Sequence, residues 1–158
     1  MVKRLVLIAS VAYRQRLQFT DLLKTPAIGK SAEFAYAPEI IVLGGLYASY
    51  HHPSKITFEA VRTYALPLHE PGGQHALIKM AEHIVPPNLQ GLTSRYRTIR
   101  QPTLMIWCAE DEVVPLALGR KLAHELRHGH LEVLKGCGHA PQEEVPQETL
   151  ALMHKFLK

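Results

Sequence analysis

Pro102-Thr103-Leu104-Met105-Ile106-Trp107-Cys108-Ala109-Glu110-Asp111-Glu112-Val113-Val114-Pro115 is the stretch whose reading decides the fold. Its first half is a short apolar run without alternation, which predicts a strand, Thr103 to Trp107, buried on both faces, as in parallel sheets covered by helices. The acidic loop that follows ends at Pro115, whose fixed φ suits a first helical turn. Leu118, Leu122 and Leu126 then recur at i, i+4, i+8, and Gly129 stops the helix. His130 to Leu134 reads as another strand, Gly136 and Gly138 punctuate the turn after it, and Pro146 opens a last helix bearing Leu150, Met153 and Leu157.

Upstream, Val2 to Ser10 is a second continuous apolar run after basic residues and predicts a strand buried on both faces. From Ala12 to about Arg100 the texture changes to Pro, Gly, His and Tyr interleaved with short helical patterns, and only Ile40 to Leu43 looks strand-like. One helix starts near Thr57, with Phe58, Val61 and Ala65 at helical spacing. A second follows Pro71-Gly72-Gly73, where Ala76, Leu77, Met80, Ala81 and Ile84 share a face, and Pro86-Pro87 ends it. The order strand, helices, strand, helix, strand, helix predicts an α/β fold with three parallel strands. The expected division is a first core strand over 1–11, a helical insertion over 12–100, and the rest of the core over 101–158.

Composition agrees with a globular domain: 158 residues, 47% hydrophobic, 20% charged, with mean hydropathy near zero. No apolar stretch approaches the ~20 residues that cross a bilayer, so no membrane role is expected. Ser10-Val11-Ala12 superficially resembles a signal-peptidase site, but the apolar segment before it is too short. Cys108 and Cys137, 29 positions apart, match no zinc or CxxC spacing, and the expectation is buried free thiols in a reducing, cytoplasmic compartment. The net charge of +4 is mild. Arg95, Arg97 and Arg100 around Tyr96 form the densest basic stretch, read as a solvated loop, and no nucleic-acid partner is expected.

Open parallel sheets bind ligands at the carboxyl ends of their strands. Two of those loops carry titratable groups: Asp111 after the second strand and His139, in Gly136-Cys137-Gly138-His139, after the third. Asp111 could orient an imidazole that serves as general base, and Gly138 would leave that imidazole room. The plain alternative is an exposed loop aspartate and a turn histidine. The segment from Arg100 to Lys158 also resembles the C-terminal end of the α/β-hydrolase superfamily, through Pro102-Thr103-Leu104-Met105-Ile106-Trp107, Asp111, Val114-Pro115, Gly136-Cys137-Gly138-His139 and Glu144-Val145-Pro146. The separation of 28 residues between Asp111 and His139 is similar to that of the meta-cleavage-product hydrolases. The resemblance implies that Asp111 is the acid and His139 the base of a triad. It also implies that the three strands correspond to strands 6 to 8 of that fold and that 12–100 is its helical cap, in a cap-bearing branch that includes epoxide hydrolases.

The sequence departs from that family in one large respect: no G-x-S-x-G occurs in it. In the family's order the nucleophile precedes the acid. The expectation is therefore a truncated form that keeps acid and base, lacks nucleophile and oxyanion donors, and is inactive alone. The parent reaction would be hydrolysis of an ester or of a carbon–carbon bond beside a carbonyl, on a small apolar substrate, with no metal or organic cofactor. Ser10 at a strand end and Cys137 beside His139 are weak substitutes for the nucleophile. The alternative from another class is a non-catalytic fragment or interaction module, whose unpaired first strand invites self-association or a complementing chain.

His124-Glu125-Leu126-Arg127-His128 matches H-E-x-x-H, the zinc-peptidase pattern of two ligands one helical turn apart. The Leu118, Leu122, Leu126 stripe lies on the other side of that helix, which points both histidines at solvent. His51-His52, His69, His75 and His83 show no ligand spacing. Phe34, Tyr47, Tyr50, Phe58 and Tyr64 could line an apolar pocket, and packing is the simpler reading.

Overall fold

The computed structural model describes residues 2–15 and 37–158; Phe34 falls outside them. Strand β1 is Leu5–Ile8, β2 is Thr103–Cys108 and β3 is Gly129–Leu134. Helices are α1 (Pro38–Ser49), α2 (Phe58–His69), α3 (Gly73–His83), α4 (Leu89–Thr93), α5 (Leu116–Glu125), α6 (Pro141–Glu144) and α7 (Pro146–Leu157), with 3₁₀ turns at Pro53–Lys55 and Tyr96–Thr98. The strands form one parallel sheet in the order β1-β2-β3. Leu5 stands opposite Thr103 and Ile8 opposite Ile106; Thr103 stands opposite Gly129 and Cys108 opposite Leu134.

The chain divides into two compact units. One comprises Met1–Gln15, Ser49–His52 and Asn88–Lys158, the other Arg16–Ala48 and Pro53–Pro87. The stretch 12–100 therefore contributes to both.

In the first unit every residue of β2 is buried, as its unbroken apolar run requires. Its side chains alternate between two faces. Met105 packs with Leu122 and Leu126 of the α5 segment and with Ala12 and Tyr13, and Leu7, Ile99 and Leu131 close around them. Trp107 lies on that face too, against Gly119 of α5, and its indole N–H donates to the Val114 carbonyl at 2.8 Å. Helices α6 and α7 also contact β2. Strand β1 is half-buried rather than buried on both faces, because among the described residues it pairs along one edge only. It ends where Ala9 takes a left-handed φ of 43°. Arg4 fastens it to the end of α7 by donating to the Phe156 carbonyl at 2.9 Å.

Two helical faces differ from expectation. In α7 the inward residues are Thr149, Leu152, Met153 and Phe156, while Leu150 and Leu157 are exposed. Both choices satisfy the helical period. The structure buries Thr149 because its hydroxyl finds the Pro141 and Val145 carbonyls at 3.0 and 2.9 Å. Helix α5 stops at Glu125, before Gly129, with Leu126 already extended.

In the second unit the strand-like run Ile40 to Leu43 is helical, inside α1. Pro38 and Glu39 begin that helix with a residue preset for the first turn and a carboxylate favoured there, and this local signal overrides the β-propensity of the run. Helix α2 is capped by Thr57, whose side chain accepts the Ala60 N–H at 3.1 Å. It turns into α3 through Gly72 at φ 80° and Gly73, where a Cβ would lie 2.0 Å from the Pro67 carbonyl oxygen. Tyr47, Phe58 and Tyr64 are exposed.

At Gly119 an added Cβ would come within 2.7 Å of Trp107 Cδ2, and the indole is fully buried and hydrogen-bonded. Gly119→Ala is expected to destabilise the chain by about 1–3 kcal/mol, read from urea denaturation, with the loss of the native Trp107 fluorescence following the same transition.

Candidate active site

The parallel pairing of β2 and β3 delivers two loops to the same end of the sheet. The Ala109 N–H continues the ladder to the Leu134 carbonyl at 2.8 Å, so the loops stay in register past the strand ends. The Glu110 carboxylate then accepts the Gly136 N–H at 3.0 Å. Asp111 and His139 meet next: His139 Nδ1 and Asp111 Oδ2 are 3.1 Å apart. The Asp111 side chain is fully buried and that of His139 is 27% exposed. Asp111 Oδ1 accepts the Val113 and Val114 N–H groups at 3.0 and 2.8 Å, so both carboxylate oxygens are fixed. The geometry turns His139 Nε2 away from the acid, and no other hydrogen bond to the ring is found among the described residues.

Cys108 and Cys137 are bonded to each other, with Cα atoms 5.4 Å apart. This corrects the expectation of free thiols, and the reasoning from free thiols to a reducing, cytoplasmic compartment falls with it. Adjacent positions at the ends of β2 and β3 bring the sulfurs together, a closeness that their sequence spacing conceals. The disulfide also removes Cys137 as a nucleophile. It links the acid-bearing loop to the residue two positions before His139.

Glu144 is the site residue that sequence reasoning missed. Although buried, its carboxylate accepts three backbone N–H groups: Gly138 at 2.6 Å, His52 at 2.9 Å and His51 at 3.2 Å. Three donors offset the desolvation of a buried carboxylate. The segment Ser49–His52 packs here, its Ser49 carbonyl accepting the His139 N–H at 2.6 Å, and Tyr50 donates to Glu143. Gly138 serves a different purpose from the one expected. A Cβ there would lie 2.4 Å from the Ser49 oxygen and 2.7 Å from the His51 nitrogen, so glycine admits a passing backbone rather than freeing the imidazole. The Glu144-Val145-Pro146 stretch marked this glutamate in the sequence, but nothing local could pair it with residues 51 and 52.

The remaining candidates are dispersed. Ser10 lies two residues past the end of β1, with its hydroxyl directed back toward the Ile8 carbonyl at 3.4 Å. The H-E-x-x-H residues do not share one helix: α5 ends at Glu125, so His128 does not follow His124 on a helical face, and the His128 carbonyl instead accepts the Thr103 N–H at 2.9 Å. His130 pairs with Glu132 at 2.8 Å. Among the described residues no group of three His, Cys, Asp or Glu side chains is arranged to hold a metal, and no helix is long and apolar enough to cross a membrane.

A family model described as the Alpha/beta hydrolase family matches residues 2–152. The chain is 37% identical over 59 residues to monoacylglycerol lipase abhd6-B of Xenopus laevis, a match covering 37% of this chain and 18% of that protein. It is 26% identical over 121 residues to the uncharacterized hydrolase YugF of Bacillus subtilis (strain 168), covering 74% and 42%. Its fold is similar to that of a meta-cleavage product hydrolase from Pseudomonas fluorescens IP01, with a TM-score of 0.73 at 22% identity, covering 98% of this chain and 55% of that one. A thermophilic esterase from Thermogutta terrifontis gives 0.72 at 19% identity, with coverage of 98% and 55%. The chain thus spans about half the length of these solved structures and less than half of these curated relatives.

Replacing both cysteines, Cys108→Ala with Cys137→Ala, releases a loop of 29 residues. The expected cost is about 3–4 kcal/mol by loop-closure entropy, seen as a lower urea midpoint that dithiothreitol treatment of the native chain reproduces.

Proposed function

The chain belongs to the alpha/beta hydrolase family, and on that premise we propose that Asp111 and His139 are its acid–base pair. The observation that carries this reading is the 3.1 Å contact between His139 Nδ1 and a fully buried Asp111, which leaves Nε2 free. Asp111 holds the imidazole in the tautomer with Nδ1 protonated and stabilises the imidazolium once it forms. Nε2 takes the proton of a hydroxyl nucleophile as that oxygen attacks the substrate carbonyl, and then gives it to the leaving group. The substrate is a small apolar molecule with an ester, or with a carbon–carbon bond beside a carbonyl.

The reaction also needs a nucleophile and oxyanion donors. No G-x-S-x-G stretch lies in these 158 residues, and oxyanion stabilisation alone is worth about 3–4 kcal/mol. The 158-residue chain is therefore expected to hydrolyse p-nitrophenyl acetate no faster than its His139→Ala variant. When it is mixed with a polypeptide carrying the nucleophile elbow of a family member, hydrolysis appears and His139→Ala removes it by at least about a thousandfold. Hydrolysis by the chain alone that His139→Ala abolishes would place a nucleophile within these residues. Activity indifferent to His139→Ala in the mixture would overturn the acid–base reading.

The same reading bears on association. Leu5–Ile8 pairs with β2 on one side and, among the described residues, with nothing on the other. An unpaired apolar edge templates pairing with another chain. Sedimentation velocity of the 158-residue chain is expected to show oligomers, and a monomer across the micromolar range would contradict this.

A further inference from the structure

The sheet has a second polar end. Arg97 and Arg100 lie just ahead of Thr103, where β2 begins, and His124, Glu125 and Arg127 lie just ahead of Gly129, where β3 begins. The Thr103 N–H donates to the His128 carbonyl at 2.9 Å and ties the two approaches together. Because both strands run parallel, these residues sit at the amino end of the sheet, opposite the Asp111–His139 pair. Between them is an open cleft of about 510 Å³, lined by Arg97, Thr98, Arg100, His124, Glu125 and Arg127. That volume lies within the range of small-molecule sites.

Three arginines line one concavity, and like charges held close together raise its positive potential. Among the described residues, the side chains of Arg97, Arg100, His124 and Arg127 have no hydrogen-bonded or ion-paired partner. Among the described residues, the only carboxylate in the lining is Glu125. It is shared with the core behind the cleft: burial first, and the adjacent Glu125 carboxylate second, hold the Tyr13 and Tyr96 hydroxyls above the ordinary phenol range. Lys121, 4.2 Å above the Tyr13 ring, adds another cation nearby. Even with Glu125 fully counted, the three arginines leave two positive charges unmatched.

We propose that this cleft binds a phosphate-bearing anion. A phosphate monoester carries close to two negative charges at neutral pH, which matches the excess, and three terminal oxygens, which can face more than one guanidinium. Arginine's planar fork suits bidentate contact with phosphate, whereas a single carboxylate would balance only half the excess. The basic stretch and His124, Glu125 and Arg127 of the H-E-x-x-H motif, separate features of the sequence, become two walls of one site. Its position at the amino end of the sheet makes the ligand distinct from any substrate of the Asp111–His139 pair, so the proposal stands whether or not that pair is catalytic. The phosphate group can belong to a free phosphorylated molecule or to a lipid headgroup.

The test is titration of the 158-residue chain with inorganic phosphate and pyrophosphate, followed by arginine side-chain NMR at ionic strength held constant with sodium chloride. In parallel, the chain is cosedimented with vesicles of phosphatidylcholine with or without phosphatidic acid, whose headgroup is a phosphate monoester. Saturable shifts confined to Arg97, Arg100 and Arg127 are expected, with pyrophosphate binding more tightly than phosphate. Arg100→Ala with Arg127→Ala weakens binding at least tenfold without changing the thermal midpoint, and Arg62→Ala on α2 leaves it unchanged. Arg100→Lys with Arg127→Lys keeps the charge and loses the fork, so it restores binding only in part. Binding of soluble phosphates identifies a free ligand. Binding to vesicles containing phosphatidic acid alone, lost in the double alanine variant, identifies a headgroup. No saturable response to either phosphate or the anionic vesicles, or a response that the double alanine variant retains, overturns the proposal.

Discussion

The in-register pairing of Thr103–Cys108 with Gly129–Leu134 sets where the loops after these two strands begin, and so how far apart their side chains can stand. Parallel strands leave the sheet in the same direction, so whatever follows Cys108 and Leu134 emerges side by side. Four ties then hold the loops together: the ladder bond from Ala109, the Glu110 contact with Gly136, the Cys108–Cys137 disulfide, and the Asp111–His139 hydrogen bond. The last is the one that can do chemistry, and the other three fix its geometry.

Burying β2 on both faces makes that pairing stable, and it imposes conditions on the neighbouring helices. Helix α5 must come close enough to cover Met105 and Trp107, which is why residue 119 has no side chain. Polar groups drawn into the interior must be satisfied there. Trp107 finds the Val114 carbonyl, Asp111 finds two N–H groups and the imidazole, and Glu144 finds three N–H groups. Each of these bonds also stiffens the loop it belongs to. Satisfying the buried atoms and bringing Asp111 to His139 are therefore one structural task.

The segment Ser49–His52 shows how far along the chain the surroundings of His139 and Glu144 are drawn from. It lies between two stretches of the second unit, yet its backbone supplies the acceptor for the His139 N–H and two donors for Glu144. Gly138 permits this approach. At the opposite end of the sheet the entry segments of the same two strands gather arginines, so a single pairing brings Asp111 to His139 at one end and lines a cleft with cations at the other.

Local pattern alone determined a good deal. The unbroken apolar run of β2, the proline that opens α7 and the periodicity of α5 were readable because burial on two faces, a preset φ and a 3.6-residue repeat leave direct traces in residue order. The approach of Asp111 to His139 was readable because strand ends in a parallel sheet converge, and the motif resemblance placed both residues there. Tertiary structure decided the rest. It chose Thr149 over Leu150 for the inner face of α7, because two carbonyls happened to be available to its hydroxyl. It made Ile40 to Leu43 helical, since local helix-start signals outweighed β-propensity. It ended α5 at Glu125 and so dissolved the zinc pattern. It joined Cys108 to Cys137 and set Glu144 against residues 51 and 52, because contacts between distant positions depend on where the folded backbone passes, which no local spacing records.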